Sequence, residues 1–312
     1  MKSGRLFTRT CCLLGFLLST ACGSRTEKAS PDYPEFKMIV RLWPDHHKDS
    51  ALREELLQAL KKYPDFCDEV WLCMEFETFS KEAHKESARA MAVAAERLRN
   101  AGIGVSIQGI TLGHGDDFES GAARPHPELT WGNIVDARNV RTVTSSCPRQ
   151  QAFHDYLGET YALYAGLCRP SCVWLDDDLR VTYHAPARQL CFCDTCLSLF
   201  NRQQGERWTR ETLVEALDRN EGEGRTVARA VHEVSPGTRM GLQHANFHRE
   251  LMEGRDWNPT LDALEEETGL APASRPGNGF YDDHAPRGML LKGYDMARQI
   301  RRLKPSVREI AA

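Results

Sequence analysis

Short apolar runs alternate with longer amphipathic segments along most of the chain. The apolar runs have strand length and cover residues 38–43, 69–75, 104–109, 172–176, 240–244 and 278–282, and 307–310 begins a seventh. The segments between them carry apolar residues at helical spacing, as at Leu52, Leu56 and Leu60. They predict helices at 49–63, 80–100, 148–168, 196–203, 208–217, 225–234, 261–268 and 286–303. This regular alternation predicts an α/β fold with a parallel sheet.

Polar side chains collect where the predicted strands end. They are Glu75, Gln108, Asp176 to Asp178, Gln243, His244, Asp282 and Asp283. No Gly-x-Gly-x-x-Gly follows the first strand, which disfavours a dinucleotide-binding sheet. A (β/α)8 barrel of TIM-barrel type would bring all these residues to one mouth. We therefore predict an incomplete barrel, with about six strands plus the start of a seventh, and a long polar mouth loop at 111–146.

The N-terminus has the pattern of an export signal. Basic residues precede a short apolar stretch, and small residues then lead to Cys22. We interpret 1–22 as a lipoprotein-type signal peptide with Cys22 as the lipidation site, 23–36 as a polar tether and 37–312 as the barrel domain. The alternatives are an ordinary signal peptide cleaved nearby and an uncleaved anchor. The prediction is a bacterial cell-envelope protein, bound to the membrane by its lipid alone.

The amino-acid composition is that of a folded globular domain and argues against nucleic acid as a partner. The 312 residues are 41% hydrophobic and 27% charged, with a net charge of −4. That acidic balance argues against a nucleic-acid-binding protein, which would carry a basic patch. No apolar run after the N-terminus is long enough to cross a membrane.

Three of the eleven cysteines are closely spaced. Cys191, Cys193 and Cys196 follow a C-x-C-x-x-C pattern, which lets three sulfurs converge on one metal ion. A closed tetrahedral zinc site needs a fourth ligand, and Cys147 is the best candidate. Disulfides and free thiols are the alternatives. The other cysteines of the domain, among them Cys67 and Cys73, are interpreted as core residues, although a bridge between those two is an alternative.

The fourth predicted strand leads into three carboxylates, Asp176, Asp177 and Asp178. Neighbouring carboxylates repel one another, which raises the pKa of one and lets it act as a general acid. A salt bridge to Arg180, a helix cap or a divalent-ion site are the alternatives.

Further residues are predicted to contact a substrate at the mouth. Arg41 lies inside an apolar strand, so it pairs with a carboxylate such as Glu75 or binds a ligand. Trp43, Trp131 and Tyr281 could stack on sugar rings or belong to the core. The complete set of expected contacts is Arg41, Glu75, Asp176, Arg180, Gln243, His244, Tyr281 and Asp282.

The segment from Trp174 to Gly205 resembles the fourth-strand region of glycoside hydrolase family 42, the β-galactosidases built on a zinc-bearing TIM barrel. The family has an acid/base Asn-Glu pair and then C-x-C-D-x-C and Phe, which 191–196 and Phe200 match. Its remaining zinc cysteine precedes a proline, as Cys147 does. The resemblance implies a structural zinc at Cys147, Cys191, Cys193 and Cys196.

The resemblance also implies a function, with two departures. Asp177 and Asp178 stand in place of the Asn-Glu pair, so Asp178 would be the general acid. The family's nucleophile ends the seventh strand, and this sequence stops as that strand begins. The expectation is a glycoside hydrolase-like protein acting on an extracellular oligo- or polysaccharide. A non-catalytic carbohydrate-binding barrel and a metal-dependent hydrolase using the Asp cluster with His244 are the alternatives.

Overall fold

The structure is a computed structural model. It describes residues 37–63, 66–76, 79–109, 130–176, 191–209, 211–212, 215, 221–244, 256–276, 297–304, 306–307 and 309–310. Contacts divide the chain into two units, Met1–Lys37 and Met38–Ala312, and the elements below belong to the second.

In the described residues, seven parallel strands form the main sheet. They are β1 (Ile39–Leu42), β2 (Glu69–Cys73), β3 (Gly104–Gly109), β6 (Cys172–Leu175), β7 (Arg239–His244), β8 (Ala273–Pro276) and β9 (Glu309–Ile310). They pair in that order, so within the described residues β1 and β9 are the two edges. Two further strands, β4 (Asn133–Val135) and β5 (Arg141–Ser146), form a separate antiparallel hairpin. The main sheet is that of an incomplete TIM barrel, as predicted.

Helices separate successive strands of the sheet. They are α1 (Pro44–Lys48), α2 (Ser50–Lys62), α3 (Lys81–Asn100), α4 (Gln151–Cys168), α5 (Asp194–Leu199), α6 (Glu221–Val234) and α7 (Asn258–Thr268). Side chains cap two of them, because Asp49 accepts from the backbone of Ala51 at 2.7 Å and Ser80 accepts from that of Ala83 at 3.4 Å. No helix in the described residues has the length and apolar character needed to cross a membrane.

Each face of the main sheet carries its own cluster of buried side chains. One face meets the helices and forms the main core, which includes Leu72, Ile107, Val173, Leu175 and Leu242. The residues between these point to the other face. There Trp71, Cys172, Trp174 and Ala273 form a second cluster, with Ile39 packed against it. Side chains from β1, β2, β6 and β8 therefore contact one another in a single cluster on the inner face. Strands so far apart in the sheet order can share a cluster only if the sheet is curled.

The structure corrects the sequence analysis in two places. The sixth strand of the sheet is Ala273–Pro276, whereas the prediction placed it at 278–282, outside the described residues. The predicted loop at 111–146 contains the β4–β5 hairpin within its described part. Trp131, beside this hairpin, packs against Phe153 and Tyr156 at 5.3 and 5.1 Å between ring centroids, so it is a core residue.

Candidate functional site

The inner face of the sheet carries a layer of polar side chains near the carboxyl ends of the strands. We call it the mouth layer, and its members are Arg41, Cys73, Gln108, Asp176, Gln243 and Arg275. The first five alternate along their strands with residues of the helix-facing core, which places them on the inner face. Arg275 follows Ala273, a member of the inner-face cluster, by two residues and so shares its face. The carboxyl end of the strands is the face on which TIM barrels build their active sites.

Four members of the mouth layer form one hydrogen-bonded chain across adjacent strands. Arg41 Nε donates to Cys73 Sγ at 3.4 Å, and Cys73 Sγ donates to Gln108 Oε1 at 3.8 Å. Gln108 Nε2 then donates to Asp176 Oδ2 at 3.3 Å. Burial raises the pKa of the Cys73 thiol, which keeps the proton that the second bond uses. All three hydrogen bonds in this series are donated in the direction of Asp176, so the Asp176 carboxylate accepts the last of them.

Strands β7 and β8 continue the layer. Arg275 Nη1 donates to Gln243 Oε1 at 2.7 Å, which fixes the orientation of the amide. Gln243 is buried, and its Nε2 has no hydrogen-bond partner among the described residues. A buried amide N–H without an acceptor is uncommon, so this donor is available to a ligand. Sequence reasoning missed Arg275 because it placed the sixth strand later in the chain.

An exposed tryptophan lies beside Arg41. The Arg41 guanidinium lies over the Trp43 ring at 4.4 Å from its centroid. Phe76 packs against the same ring at 5.6 Å between centroids. Trp43 is 42% exposed despite these two contacts. The pair presents a cationic group and an apolar surface side by side.

Glu75 lies next to this region and has a cationic partner. Lys48 Nζ donates to Glu75 Oε2 at 2.5 Å, and the Glu75 side chain is 6% exposed. The backbone N–H of Glu75 donates to Tyr164 Oη at 3.3 Å. The carboxylate is thus held by α1, and its predicted role in substrate binding stays a prediction.

The four predicted metal ligands come together. The sulfur atoms of Cys147, Cys191, Cys193 and Cys196 all lie within 4.8 Å of one another, and we call them the thiol cluster. Cys147 Sγ is 3.5 Å from Cys196 Sγ and 3.6 Å from Cys193 Sγ. A disulfide would need about 2.05 Å. The eight cysteines in the described residues are all free, so neither the disulfide alternative here nor a Cys67–Cys73 bridge is formed. Four such sulfurs could hold a metal ion.

Apolar side chains surround the thiol cluster and join two segments of the chain. Ile134, Phe192 and Leu197 pack with the cysteines, and Trp208 lies against them. The backbone N–H of Phe192 donates to the carbonyl of Val135 at 2.7 Å. The cluster therefore fastens the β4–β5 hairpin, which follows β3, to the segment that follows β6.

Arg149 supplies positive charge at the cluster. Its Nη1 donates to Cys196 Sγ at 3.8 Å, and its guanidinium lies over the Phe200 ring at 5.1 Å. Hydrogen bonds from the other three thiols, followed by burial, raise the pKa of Cys147. The hydrogen bond with Cys147 lowers the pKa of Cys196, and Arg149 lowers it further. The arrangement accommodates some thiolate charge, and a bound cation would favour more.

A buried carboxyl group in α6 gave no signal in the sequence. Glu223 is 1% exposed, and within the part of the chain that the structure describes neither of its carboxyl oxygens has a hydrogen-bond partner. Burial raises the pKa of Glu223 well above its ordinary value. The hydroxyl of Tyr161, fully buried in α4, also finds no hydrogen-bond partner among these described residues. A Glu within an amphipathic helix is ordinarily exposed, so its burial could not be anticipated.

Several predicted site residues lie outside the described part of the chain. They are Cys22, Asp177, Asp178, Arg180, Tyr281 and Asp282. His244 ends β7, and only its backbone is described. Their assigned roles stay predictions. The described residues bring together Arg41, Asp176 and Gln243 in the mouth layer.

No protein-family model matches the sequence, and no curated protein matches it. Among solved structures, the catalytic domain of β-amylase from Paenibacillus polymyxa is similar, with 12% identity and a TM-score of 0.47 over 77% of this chain and 76% of that one. A β-galactosidase from the psychrophilic Marinomonas ef1 shows 11% identity and 0.49 over 77% and 40%. A GH20 exo-β-N-acetylglucosaminidase from Vibrio harveyi, in complex with N-acetylglucosamine, shows 10% and 0.42 over 79% and 42%. This chain spans less than half of the length of the latter two.

Proposed function

We propose that the chain is a carbohydrate-active barrel domain that hydrolyses a glycosidic bond at the mouth layer. Asp178 would act as the general acid and base, with Asp177 beside it. Such hydrolysis uses a carboxylic acid to protonate the leaving oxygen and a second carboxylate to attack the sugar or to activate water. In glycoside hydrolase family 42 that second carboxylate ends the seventh strand, which residues 307–310 begin here, so the proposal requires it to come from that strand. The ligand would be an oligo- or polysaccharide, and export with lipid attachment at Cys22 is part of the same proposal.

The observation that supports this proposal best is the position of Asp176. It follows β6 directly at the carboxyl end of the sheet and accepts the last bond of a chain that begins at Arg41. Asp177 and Asp178 are the next two residues of the sequence. Asp176 is thus held at the carboxyl end of the sheet, and the proposed acid follows it by two residues in the sequence, which supports the assignment.

Zinc is the metal that best suits the thiol cluster. A tetrahedral zinc with Zn–S bonds of about 2.3 Å places its sulfurs about 3.8 Å apart. The separations of Cys147 Sγ from Cys196 Sγ and from Cys193 Sγ are 3.5 and 3.6 Å. Four thiolates fill the coordination sphere, so the metal would be structural and would hold the two mouth segments together. The resemblance of 191–196 to the zinc motif of glycoside hydrolase family 42 supports the same assignment.

The test is a screen of the full chain, with zinc supplied, against neutral and acidic oligosaccharides. Product release is followed by chromatography of new reducing ends, and binding is followed by calorimetry. Hydrolysis of at least one glycan supports the proposal. Binding without hydrolysis would support the carbohydrate-binding alternative, and neither binding nor hydrolysis would contradict both.

A chelator separates the proposal from a metal-dependent hydrolase. A weak chelator that leaves the zinc content unchanged is expected to leave hydrolysis unchanged, because the proposed chemistry uses carboxyl groups alone. Loss of hydrolysis at constant zinc content would favour a second, catalytic metal at the Asp cluster.

A further inference from the structure

We propose that the mouth layer binds an anionic sugar, with Arg41 and Arg275 receiving its negative group. The inference deepens the proposed function and rests on it only in taking the ligand to be a carbohydrate. It follows from two observations: both guanidinium groups lie in the same layer of the inner face, and neither has a carboxylate partner in the described residues.

The two arginines lie in the same layer of the inner face. Ile39 in β1 and Ala273 in β8 both contact the cluster around Trp71 and Trp174. Side chains two residues apart on a strand share a face. Arg41 and Arg275 follow Ile39 and Ala273 by two residues, so both stand one layer nearer the carboxyl ends of the strands, above the same indole rings.

Neither arginine has a carboxylate partner in the described residues. Arg41 makes contact with the Cys73 sulfur and the Trp43 ring, and Arg275 makes contact with the Gln243 amide oxygen. Both side chains are half-buried. A partly buried guanidinium that is bonded only to neutral groups favours an anion, because desolvation of a charge needs a counter-charge. Glu75, in contrast, already has Lys48.

The neighbouring groups indicate that the anion belongs to a sugar. Trp43 offers an exposed indole beside the Arg41 guanidinium, which suits the apolar face of a pyranose ring. Gln243 Nε2 is a buried donor next to Arg275, and it has no partner in the described part of the chain. Carboxylates and sulfate esters both accept paired N–H bonds from a guanidinium. The common ligand chemistry is therefore a sugar that bears a carboxylate or a sulfate ester.

The experiment measures the affinity of the full chain for three oligosaccharides by calorimetry at low and moderate salt. Oligogalacturonate carries only carboxylates, a carrageenan oligosaccharide carries only sulfate esters, and galactotriose is neutral. We expect one anionic ligand to bind at least about tenfold more tightly than the neutral one, and the preference to fall as salt increases. The ligand that binds identifies the anionic group.

Variants of the two arginines test whether the anionic ligand binds at the mouth layer. Arg41→Gln and Arg275→Gln are each expected to weaken binding of the anionic ligand about tenfold or more. The Lys variants retain more affinity than the Gln variants, which separates loss of charge from loss of folding. Arg89→Gln, which removes an exposed guanidinium from α3, is the matched control and is expected to leave affinity unchanged.

Equal affinity for neutral and anionic ligands, or Gln variants that bind like the unmodified chain, would overturn the inference while leaving carbohydrate binding intact. Anionic binding that depends on both arginines, without hydrolysis of any glycan, would support the inference and contradict the hydrolytic function. Failure of all three ligands to bind would overturn the inference.

Discussion

The indole rings of Trp71 and Trp174 lie 4.4 Å apart between centroids, tilted by 30°, in the interior of the curled sheet. Trp71 belongs to β2 and Trp174 to β6, with β3 between them. Their contact therefore bridges two strands that are not hydrogen-bonded to each other. Such aromatic pairs contribute about 0.5–1.5 kcal/mol beyond the area they bury. The pair lies one layer below Gln108 and Asp176 on the inner face, and we call it the floor of the mouth layer.

Gly241 in β7 makes room for this floor. A Cβ atom at Gly241 would lie 2.4 Å from Trp174 Cε3, well inside any allowed contact. Gly241→Ala is therefore expected to lower the free energy of unfolding by about 1–3 kcal/mol, the usual effect of overpacking a rigid core. Urea denaturation followed by tryptophan fluorescence measures the change. Gly237→Ala, where a Cβ meets nothing within 4 Å, is the control, and equal stability of the two variants would contradict the packing described here.

The thiol cluster predicts a defined response to removal of one ligand. Cys147→Ser is expected to abolish tight zinc binding, because the remaining three cysteines no longer close a tetrahedron. The measurement is metal content by mass spectrometry, together with the charge-transfer absorption of the cobalt-substituted protein. Cys168→Ala, which alters a buried free thiol in α4 outside the cluster, is expected to keep the metal. Zinc retained at full occupancy in Cys147→Ser would contradict the assignment.

Arg149 is expected to strengthen metal retention. Four thiolates on a divalent ion leave a net charge of about −2 in a mostly buried site, and a nearby guanidinium offsets it. Groups that hydrogen-bond to metal ligands typically change affinity by about 10–100-fold. Arg149→Met should therefore lose zinc to a chelator at concentrations that leave the unmodified protein loaded, whereas Arg149→Lys should be intermediate. Identical chelator curves for the unmodified and Met proteins would show that Arg149 has no such role.

His47 predicts a pH dependence of stability. Its imidazole is buried on α1, with Nε2 3.4 Å from Ser87 Oγ, and burial followed by the charge of Lys48 lowers its pKa to about 4. Lys48, Arg53 and His46 lower this pKa, and Glu75 raises it. Between about pH 6.5 and 4, His47 is protonated in the unfolded chain but stays neutral in the folded chain. Stability is therefore lost as the pH falls through this window, by at most about 3 kcal/mol from this group.

Unfolding by urea at several pH values tests this dependence. His47→Gln is expected to flatten the slope of the free energy of unfolding between pH 6.5 and 4. Leu57→Ala, which removes buried apolar volume from α2, should lower stability at every pH and keep the slope. An unchanged slope in His47→Gln would contradict the account of this histidine.

The sequence predicted those features that depend on local pattern. The first five parallel strands lie close to their predicted positions, because short apolar runs bounded by helices identify buried strands. The C-x-C-x-x-C spacing located three metal ligands, and Cys147 was found as the fourth because it lies at the end of the mouth loop. The structure brings all four together.

The sequence failed where no local pattern exists. Strand β8 reads Ala-Ser-Arg-Pro, which has no apolar run, so the neighbouring segment at 278–282 was preferred. Strand β5 reads Arg-Thr-Val-Thr-Ser-Ser, which resembles a polar loop. Arg275 was missed together with its strand. The chain of bonds from Arg41 to Asp176 depends on the register of four strands, which hydrophobic pattern alone does not specify.

The most direct test of the proposed function compares hydrolysis and affinity in the Asp178→Asn protein, using the glycan that the unmodified chain cleaves. Asn keeps the shape of the side chain and removes its acid, so we expect turnover to fall by about 10²–10⁴-fold while affinity for the glycan stays within about threefold. Asp155→Asn, an exposed change on α4, is the control and should leave both unchanged. Turnover in Asp178→Asn equal to that of the unmodified chain would contradict the central claim.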